Sequence, residues 1–218
     1  VNELTIALAK GRLAEDAYNV FKGVNLANNV DLKSRKLIFE DKDQRLRFII
    51  VKPSDVITYV EQGVADIGVV GKDTILEQGG NIYELLDLPF GECRFAVAGY
   101  KGKKINRKDE VLKVATKYPK ITVDYFAEKG QRIQTIKLNG SVELAPLVGL
   151  SDVIVDIVET GNTLKANGLE VLEEMFEVRA KLIANRVSYR FKAKEINAIQ
   201  TLLRDGRENF DTVYSQSK

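Results

Sequence analysis

The sequence predicts an α/β protein with two lobes. Three observations carry that expectation. Short apolar, strand-like runs alternate with segments of helical spacing. The alternation occurs in the first half of the chain and again in the second. Lysines and arginines recur directly after strand-like runs, the edge at which open α/β sheets collect ligands. At 218 residues the chain is long enough for one large domain or two small ones, each with a real core.

Leu4-Thr5-Ile6-Ala7-Leu8-Ala9 reads as a first strand, and Lys10-Gly11-Arg12-Leu13 as the turn into a helix that runs through Tyr18, Val20 and Phe21. Residues 34–39 and 47–51 read as strands on either side of a polar turn at 40–44. Lys52-Pro53-Ser54-Asp55 ends the second of these, with Ser54 expected to cap a helix whose buried stripe is Val56, Tyr59, Val60 and Val64. Residues 65–73 read as another strand, ending in glycine and charges. Lys10, Arg12, Lys52 and Lys72 therefore each follow a strand. One basic turn of this kind usually means only a solvated loop, but the repetition argues for a shared polar edge.

The second half repeats the alternation. Residues 88–98 read as a loop entering a strand, 99–106 as a basic, glycine-bearing break, 109–118 as a helix, 121–126 as an alternating strand and 127–138 as a second helix. Asn139-Gly140 turns the chain, and Glu143-Leu144-Ala145-Pro146 leads into SDVIVDIVETGNTLKANGL at 151–169. There Val153, Ile154 and Val155 form a β-branched run suited to a strand buried on both faces, with Asp156 at its end. Ile157, Val158 and Glu159 follow, and then Thr160-Gly161-Asn162-Thr163. Two hydroxyls, a glycine and an amide within four residues suit a loop whose backbone N–H groups turn onto an anion, because Gly161 admits φ > 0 and a close approach to the main chain. The same four residues also suit a plain strand-to-helix turn capped by Asn162 or Thr163; Asp156 and Glu159 beside the loop favour the anion cradle. Residues 164–167 read as a short helix stopped by Gly168. Residues 169–176 and 179–185 read as strands, and 193–203 as an amphipathic helix with Ile196, Ile199 and Leu203 on one face. The lobes are expected at 1–93 with 180–218, and at 94–179.

Composition removes whole classes of chemistry. Lysine and arginine number 33 against 31 acids, so no global field draws the chain to nucleic acid or to a membrane. The sequence has no histidine, and Cys93 is its single cysteine. Catalytic triads, Cys–His pairs, zinc sites and haem ligation by histidine are excluded. Any metal is expected to be a hard cation, most simply Mg²⁺ arriving with phosphates and without direct ligation by the protein. A lone cysteine permits no internal disulfide and fits a reducing compartment. The one apolar stretch near the N-terminus is broken by Lys10 and too short for a signal peptide or a membrane span, so a cytoplasmic protein is expected.

Taken together, the motifs resemble a known family. An apolar strand, an acid and then T-G-x-T-L, here 156–164, resembles the phosphoribosyl pyrophosphate (PRPP) loop of phosphoribosyltransferases. With Lys10-Gly11-Arg12-Leu13, Asp66-Ile67-Gly68-Val69-Val70-Gly71-Lys72-Asp73, Gly91-Glu92-Cys93-Arg94 and Asn167-Gly168-Leu169, the pattern is similar to the ATP phosphoribosyltransferases of histidine biosynthesis, over about residues 4–203. The resemblance implies a two-lobed periplasmic-binding-protein-like fold with the active site in the interlobe cleft and the PRPP loop in the second lobe. It implies attack by N1 of the adenine of ATP on C1 of PRPP, with pyrophosphate leaving. It also implies the short form of the family, which works in a hetero-octamer with a regulatory subunit resembling histidyl-tRNA synthetase.

On that resemblance Asp156 and Glu159, with Glu143 as a third acid, are expected at the ribose of PRPP, and Thr160, Gly161, Asn162 and Thr163 at its 5′-phosphate. Lys10, Gly11, Arg12, Arg35, Lys52 and Lys72 are expected at ATP or pyrophosphate, and Arg35, Lys52, Asp156 and Glu159 in catalysis. Many family members carry arginine at the position of Lys52; lysine keeps the charge but loses the bidentate fork. Two rival readings stay open from sequence: a non-catalytic, two-lobed module that binds a small anion or senses an effector, and a phosphoribosyltransferase acting on another nucleophile.

Overall fold

The computed structural model describes residues 3–27, 32, 34–105 and 110–214, with the backbone alone for 206–214. The chain divides into two compact units, Val1–Gly91 with Arg179–Lys218, and Glu92–Val178. Unit 1 begins with β1 (Leu4–Ala9), α1 (Arg12–Gly23), β2 (Ile38–Asp41), β3 (Leu46–Val51), a 3-10 turn (Pro53–Asp55), α2 (Val56–Glu61), β4 (Ile67–Gly71), α3 (Lys72–Gln78) and β5 (Ile82–Asp87). Unit 2 comprises β6 (Cys93–Gly99), β7 (Leu112–Thr116), α4 (Pro119–Glu128), β8 (Ile133–Lys137), α5 (Leu144–Leu147), β9 (Val153–Val158), α6 (Asn162–Ala166) and β10 (Glu170–Val178). The chain then returns to unit 1 through β11 (Ala180–Asn185), α7 (Arg186–Phe191) and α8 (Ala193–Tyr214).

The sheet of unit 1 has the order β2-β3-β1-β4-β11-β5, with β1 parallel to both β3 and β4 and the remaining pairs antiparallel. Its central strands are apolar on both faces because both are covered. On one face Ile6, Leu8, Phe48, Ile67 and Val69 pack with Ala14, Ala17, Val20 and Phe21 of α1 and with Ile196, Ile199 and Leu203 of α8. Phe21 meets Phe48 edge-on at 5.9 Å. On the other face Ala7, Ala9 and Val70 pack with Val56, Ile57 and Val60 of α2. Gly68 sets that contact: a Cβ there would stand 2.8 Å from Val60 Cγ2 and 3.0 Å from Val56 Cγ1, closer than packed carbons tolerate.

Asn185 joins the end of the sheet to two helices. Its Oδ1 accepts from the N–H groups of Val187 and Ser188 at 2.9 and 2.8 Å, capping α7. Its Nδ2 donates to the carbonyls of Val60 and Glu61 at 2.8 and 3.1 Å, where α2 ends. The residue is buried, so truncation strands donors and acceptors away from water. Asn185→Ala is expected to lower unfolding stability by about 2–4 kcal/mol, read from urea denaturation midpoints. A loss under about 0.5 kcal/mol would show that water replaces the side chain.

Unit 2 holds a sheet of order β10-β6-β9-β7-β8, with β7 parallel to β8 and β9, and β6 antiparallel to β9 and β10. Phe95 fills its centre against Tyr118 at 4.9 Å and Phe176 at 5.2 Å. Among the described residues no helix is long and apolar enough to cross a membrane.

The structure corrects several local expectations. Residues 112–116 form a strand and 119–128 a helix, the reverse of the assignments over 109–118 and 121–126, while 133–137 is a strand where a helix was expected. Asn106 and Asp109 lie outside the described residues. Strand β2 starts only at Ile38, leaving Ser34, Arg35 and Lys36 in a loop. Ser54 caps nothing; its hydroxyl donates to Asp55 Oδ1 at 2.9 Å inside the 3-10 turn. The buried stripe of α2 is Val56, Ile57 and Val60, with Tyr59 and Val64 facing solvent.

Candidate functional site

In unit 1, β3, β1 and β4 run in the same direction, with Val51 beside Ala9 and Val69 beside Leu8. The residues that follow these strands therefore leave the sheet at one carboxyl edge. Lys10 follows β1, Lys52 follows β3, and Lys72 opens α3 directly after β4. The backbone N–H of Lys10 donates to Val51 O at 2.7 Å, which ties the two exits together. Gly11 then turns the chain into α1 at φ 107°, ψ −157°, a conformation that excludes side chains. Arg12 is the first residue of the helix and is exposed.

A pocket of about 210 Å³ opens at this corner, and its walls include Lys10, Gly11, Glu15, Ser34, Arg35 and Lys36. The structure thus brings Lys10, Gly11 and Arg35 together from segments more than twenty residues apart. Among the described residues, the side chains of Lys10, Arg35, Lys36 and Lys52 form no ion pair. Lys72 differs. Its Nζ lies 2.7 and 2.8 Å from the two carboxylate oxygens of Glu84 on β5, and Glu84 is also approached by Lys181 at 3.7 Å. Much of the charge of Lys72 is therefore answered within the fold. Sequence reasoning missed Glu84 because β5 was not read as a strand, and it missed Glu15, Ser34 and Lys36, of which Lys36 is signalled only by adjacency to Arg35.

The corresponding edge of unit 2 is formed by β8, β7 and β9, whose exits are Leu138, Lys117 and Glu159. Asp156 does not end its strand. It lies inside β9 opposite Ala96, half-buried, and its Oδ1 accepts from the N–H of Ile157 at 2.9 Å. Glu159 and Thr160 are exposed. Gly161 takes φ 75°, ψ 5° and occupies the cap position of α6, so neither Asn162 nor Thr163 caps the helix with its side chain. Thr160 Oγ1 accepts weakly from the N–H of Asn162 at 3.4 Å. Behind the turn, Leu164 is buried with Leu169 and Val158, which fixes the loop to the core. Gly168 closes the segment at φ 69°. Glu143 sits half-buried just before α5, which packs against β9. Lys117 directly follows Thr116, which pairs with Val155, and was missed because the segment was read as a helix.

Away from this edge, burial pushes the Tyr125 phenol above its ordinary value of 10.0; the hydroxyl donates to Glu173, which Lys129 also approaches. Among the described residues no three carboxylate or thiol side chains gather in a group that would hold a metal ion.

Comparison with known proteins bears on this geometry. The family described as HisG: ATP phosphoribosyltransferase matches residues 52–205. An ATP phosphoribosyltransferase of Clostridioides difficile (strain 630) is 61% identical over 202 residues, 93% of this chain and 97% of that protein. One from Thermoanaerobacter sp. (strain X514) is 50% identical over 218 residues, covering 98% and 100%. Among solved structures, the ATP phosphoribosyl transferase (HisG:HisZ) complex from Thermotoga maritima superposes with a TM-score of 0.81 at 39% identity, over 94% of this chain and 99% of the other. The periplasmic aliphatic sulphonate binding protein SsuA from Escherichia coli aligns over 100% of this chain and 76% of its own, with a TM-score of 0.66 at 14% identity. That last likeness is one of fold alone, the two-lobed periplasmic-binding-protein-like class.

Proposed function

The chain belongs to the ATP phosphoribosyltransferase family, and on that premise we propose how its residues divide the chemistry. The reaction joins the 5-phosphoribosyl group of PRPP to N1 of the adenine of ATP, releasing pyrophosphate, as the first step of histidine biosynthesis. Displacement at C1 passes through a transition state with positive charge on the ribose and negative charge on the leaving group. No covalent nucleophile is needed, so a chain without histidine loses nothing essential. Catalysis is then a matter of placing fixed charges where charge develops.

Asp156 and Glu159, with Glu143 behind them, take the 2′ and 3′ hydroxyls and stabilise the ribosyl cation. Thr160, Gly161, Asn162 and Thr163 take the 5′-phosphate on backbone N–H groups and hydroxyls. Lys10, Arg12, Arg35 and Lys52 hold pyrophosphate or the ATP triphosphate, and Gly11 lets phosphate approach the backbone where α1 begins. Lys72 supports the rim while shared with Glu84. The observation that carries the reading is the convergence of Lys10, Gly11 and Arg35 on one pocket at the carboxyl edge of a parallel strand set.

Mg²⁺ would arrive with the phosphates of PRPP and ATP, held by phosphate oxygens and water. Bound there, it would supply positive charge to offset that of the leaving pyrophosphate. The likeness to a HisG:HisZ complex supports a regulatory partner for this chain; the assembly we propose is a cytoplasmic hetero-octamer with a regulatory subunit resembling histidyl-tRNA synthetase. The direct test incubates the chain with ATP, PRPP and Mg²⁺, with and without such a partner. Phosphoribosyl-ATP is expected, and its absence from both mixtures would refute the assignment.

A further inference from the structure

Among the described residues, the pocket at the corner of β1 holds one carboxylate and three cations, Lys10, Arg35 and Lys36. We propose that this carboxylate, Glu15, is a catalytic residue that accepts a hydrogen bond from the 6-amino group of adenine and stabilises the positive charge the ring acquires as N1 is alkylated. The inference rests on the reading that ATP occupies this pocket.

Pockets that enclose whole drug-sized ligands run to roughly 300–1,000 Å³, so a volume of about 210 Å³ takes part of a nucleotide. The wall has two characters. Ala14, Leu32, Leu37 and Ile50 are apolar, and Leu37, 57% exposed, presents an aliphatic surface that the core does not use. Such a surface suits the face of a flat ring. The cations suit phosphate. Glu15 fits neither role, because a carboxylate beside a polyphosphate repels it. As the fourth residue of α1, Glu15 gains a modest interaction with the helix dipole. Among the described residues its carboxylate has no ion-pair or hydrogen-bond partner, although three cations line the same pocket. An acid and three bases that share a pocket without pairing are placed to meet different parts of one ligand.

The reaction supplies a use for the acid. The lone pair of N1 forms the bond to C1 while the C1–O bond breaks and its electron pair leaves with pyrophosphate. No proton moves in this step. Adenine changes from neutral to cationic, and the charge spreads from N1 onto N6, whose two hydrogens become stronger donors. A hydrogen bond from N6 to a carboxylate therefore tightens on the way to the transition state, the condition for raising kcat rather than only lowering KM. Contact with the N6 hydrogen that points away from N1 leaves the attacking atom open. The same contact rejects a 6-oxo purine, which would set one acceptor against another.

The experiment uses the full chain, with its partner where turnover is measured. Glu15→Gln is expected to lower kcat for phosphoribosyl-ATP formation on the order of 10- to 100-fold while the calorimetric Kd for ATP stays within about threefold. ITP, which binds without reacting because its N1 carries a hydrogen, is expected to compete against ATP about tenfold better in Glu15→Gln than in the wild type, since the amide can donate to the 6-oxo group. Glu15→Asp, which keeps the charge, recovers part of kcat and guards against a folding artefact. A kcat within about twofold of wild type, together with an unchanged ITP-to-ATP ratio, overturns the proposal. Lys36→Ala separates premise from inference. Unaltered ATP affinity there removes ATP from the pocket, and the proposal falls with its premise. Weakened ATP affinity beside an indifferent Glu15→Gln leaves the pocket to ATP and overturns the role of Glu15 alone.

Discussion

Gly161→Val is expected to lose PRPP binding by at least about 100-fold while the protein still folds. The position takes φ 75°, where a β-branched residue is strained by about 1–3 kcal/mol. That cost falls on an exposed turn anchored from behind by Leu164, not on the sheet. Within the protein there is room, since a Cβ at 161 would meet only Val158 Cγ1, at 3.8 Å. The damage is therefore directed at the ligand. The turn must either leave φ > 0, which redirects the N–H groups opening α6, or keep it and present an isopropyl group to the phosphate. Calorimetric titration with PRPP reads the loss, and a thermal melt checks the fold. Wild-type affinity would remove residues 160–163 from the phosphate site.

Arg35→Ala is expected to lower kcat/KM by about 10²- to 10³-fold, the usual effect of removing one donor aimed at developing charge. Arg35 lies in the loop before β2, lines the pocket with Lys10 and Gly11, and has no ion-pair partner among the described residues. Its guanidinium is thus available for a bidentate grip on phosphate. Arg35→Lys should recover only part of the rate, because the ammonium keeps charge without the fork. Steady-state kinetics with both substrates varied decide the matter, and near-wild-type constants for Arg35→Ala would exclude it from the site.

Elements bounded by strong punctuation were legible in the sequence. β1 and α1 were marked by Lys10-Gly11, β3 by Lys52-Pro53, and β9 by the turn at Thr160-Gly161. Residues 109–138 were not, for a definite reason. Ile121, Val123 and Tyr125 alternate with polar residues and mimic a strand, yet Val123 is exposed and the buried set is Ile121, Thr122 and Phe126, which suits a helix. Pro119 at the first helical position is the signal that marks the helix start. Inverting that segment also hid Lys117. At the candidate site, residue types and spacing pointed to Lys10 and the loop at 160–163, and the family resemblance pointed to Arg35. They could not reveal that Glu84, from an unread strand, answers the charge of Lys72, because that pairing depends on β5 reaching its place through β11.

The placement of β11 also bears on the order in which the protein is built. β4 and β5 are neighbours in the chain but not in the sheet; β11 lies between them and pairs with both. During synthesis β11 emerges only after the whole of unit 2, so until then β4 has an open edge and β5 has no partner. Pairings across so long a separation bear their closure entropy before any contact rewards it. The second sheet is under no such constraint, since its first and last strands, β6 and β10, pair with each other, Cys93 opposite Val178. A nascent chain halted just short of Ala180 has every strand of the second sheet and an unfinished first one, so the part of the protein made first is the last to be completed.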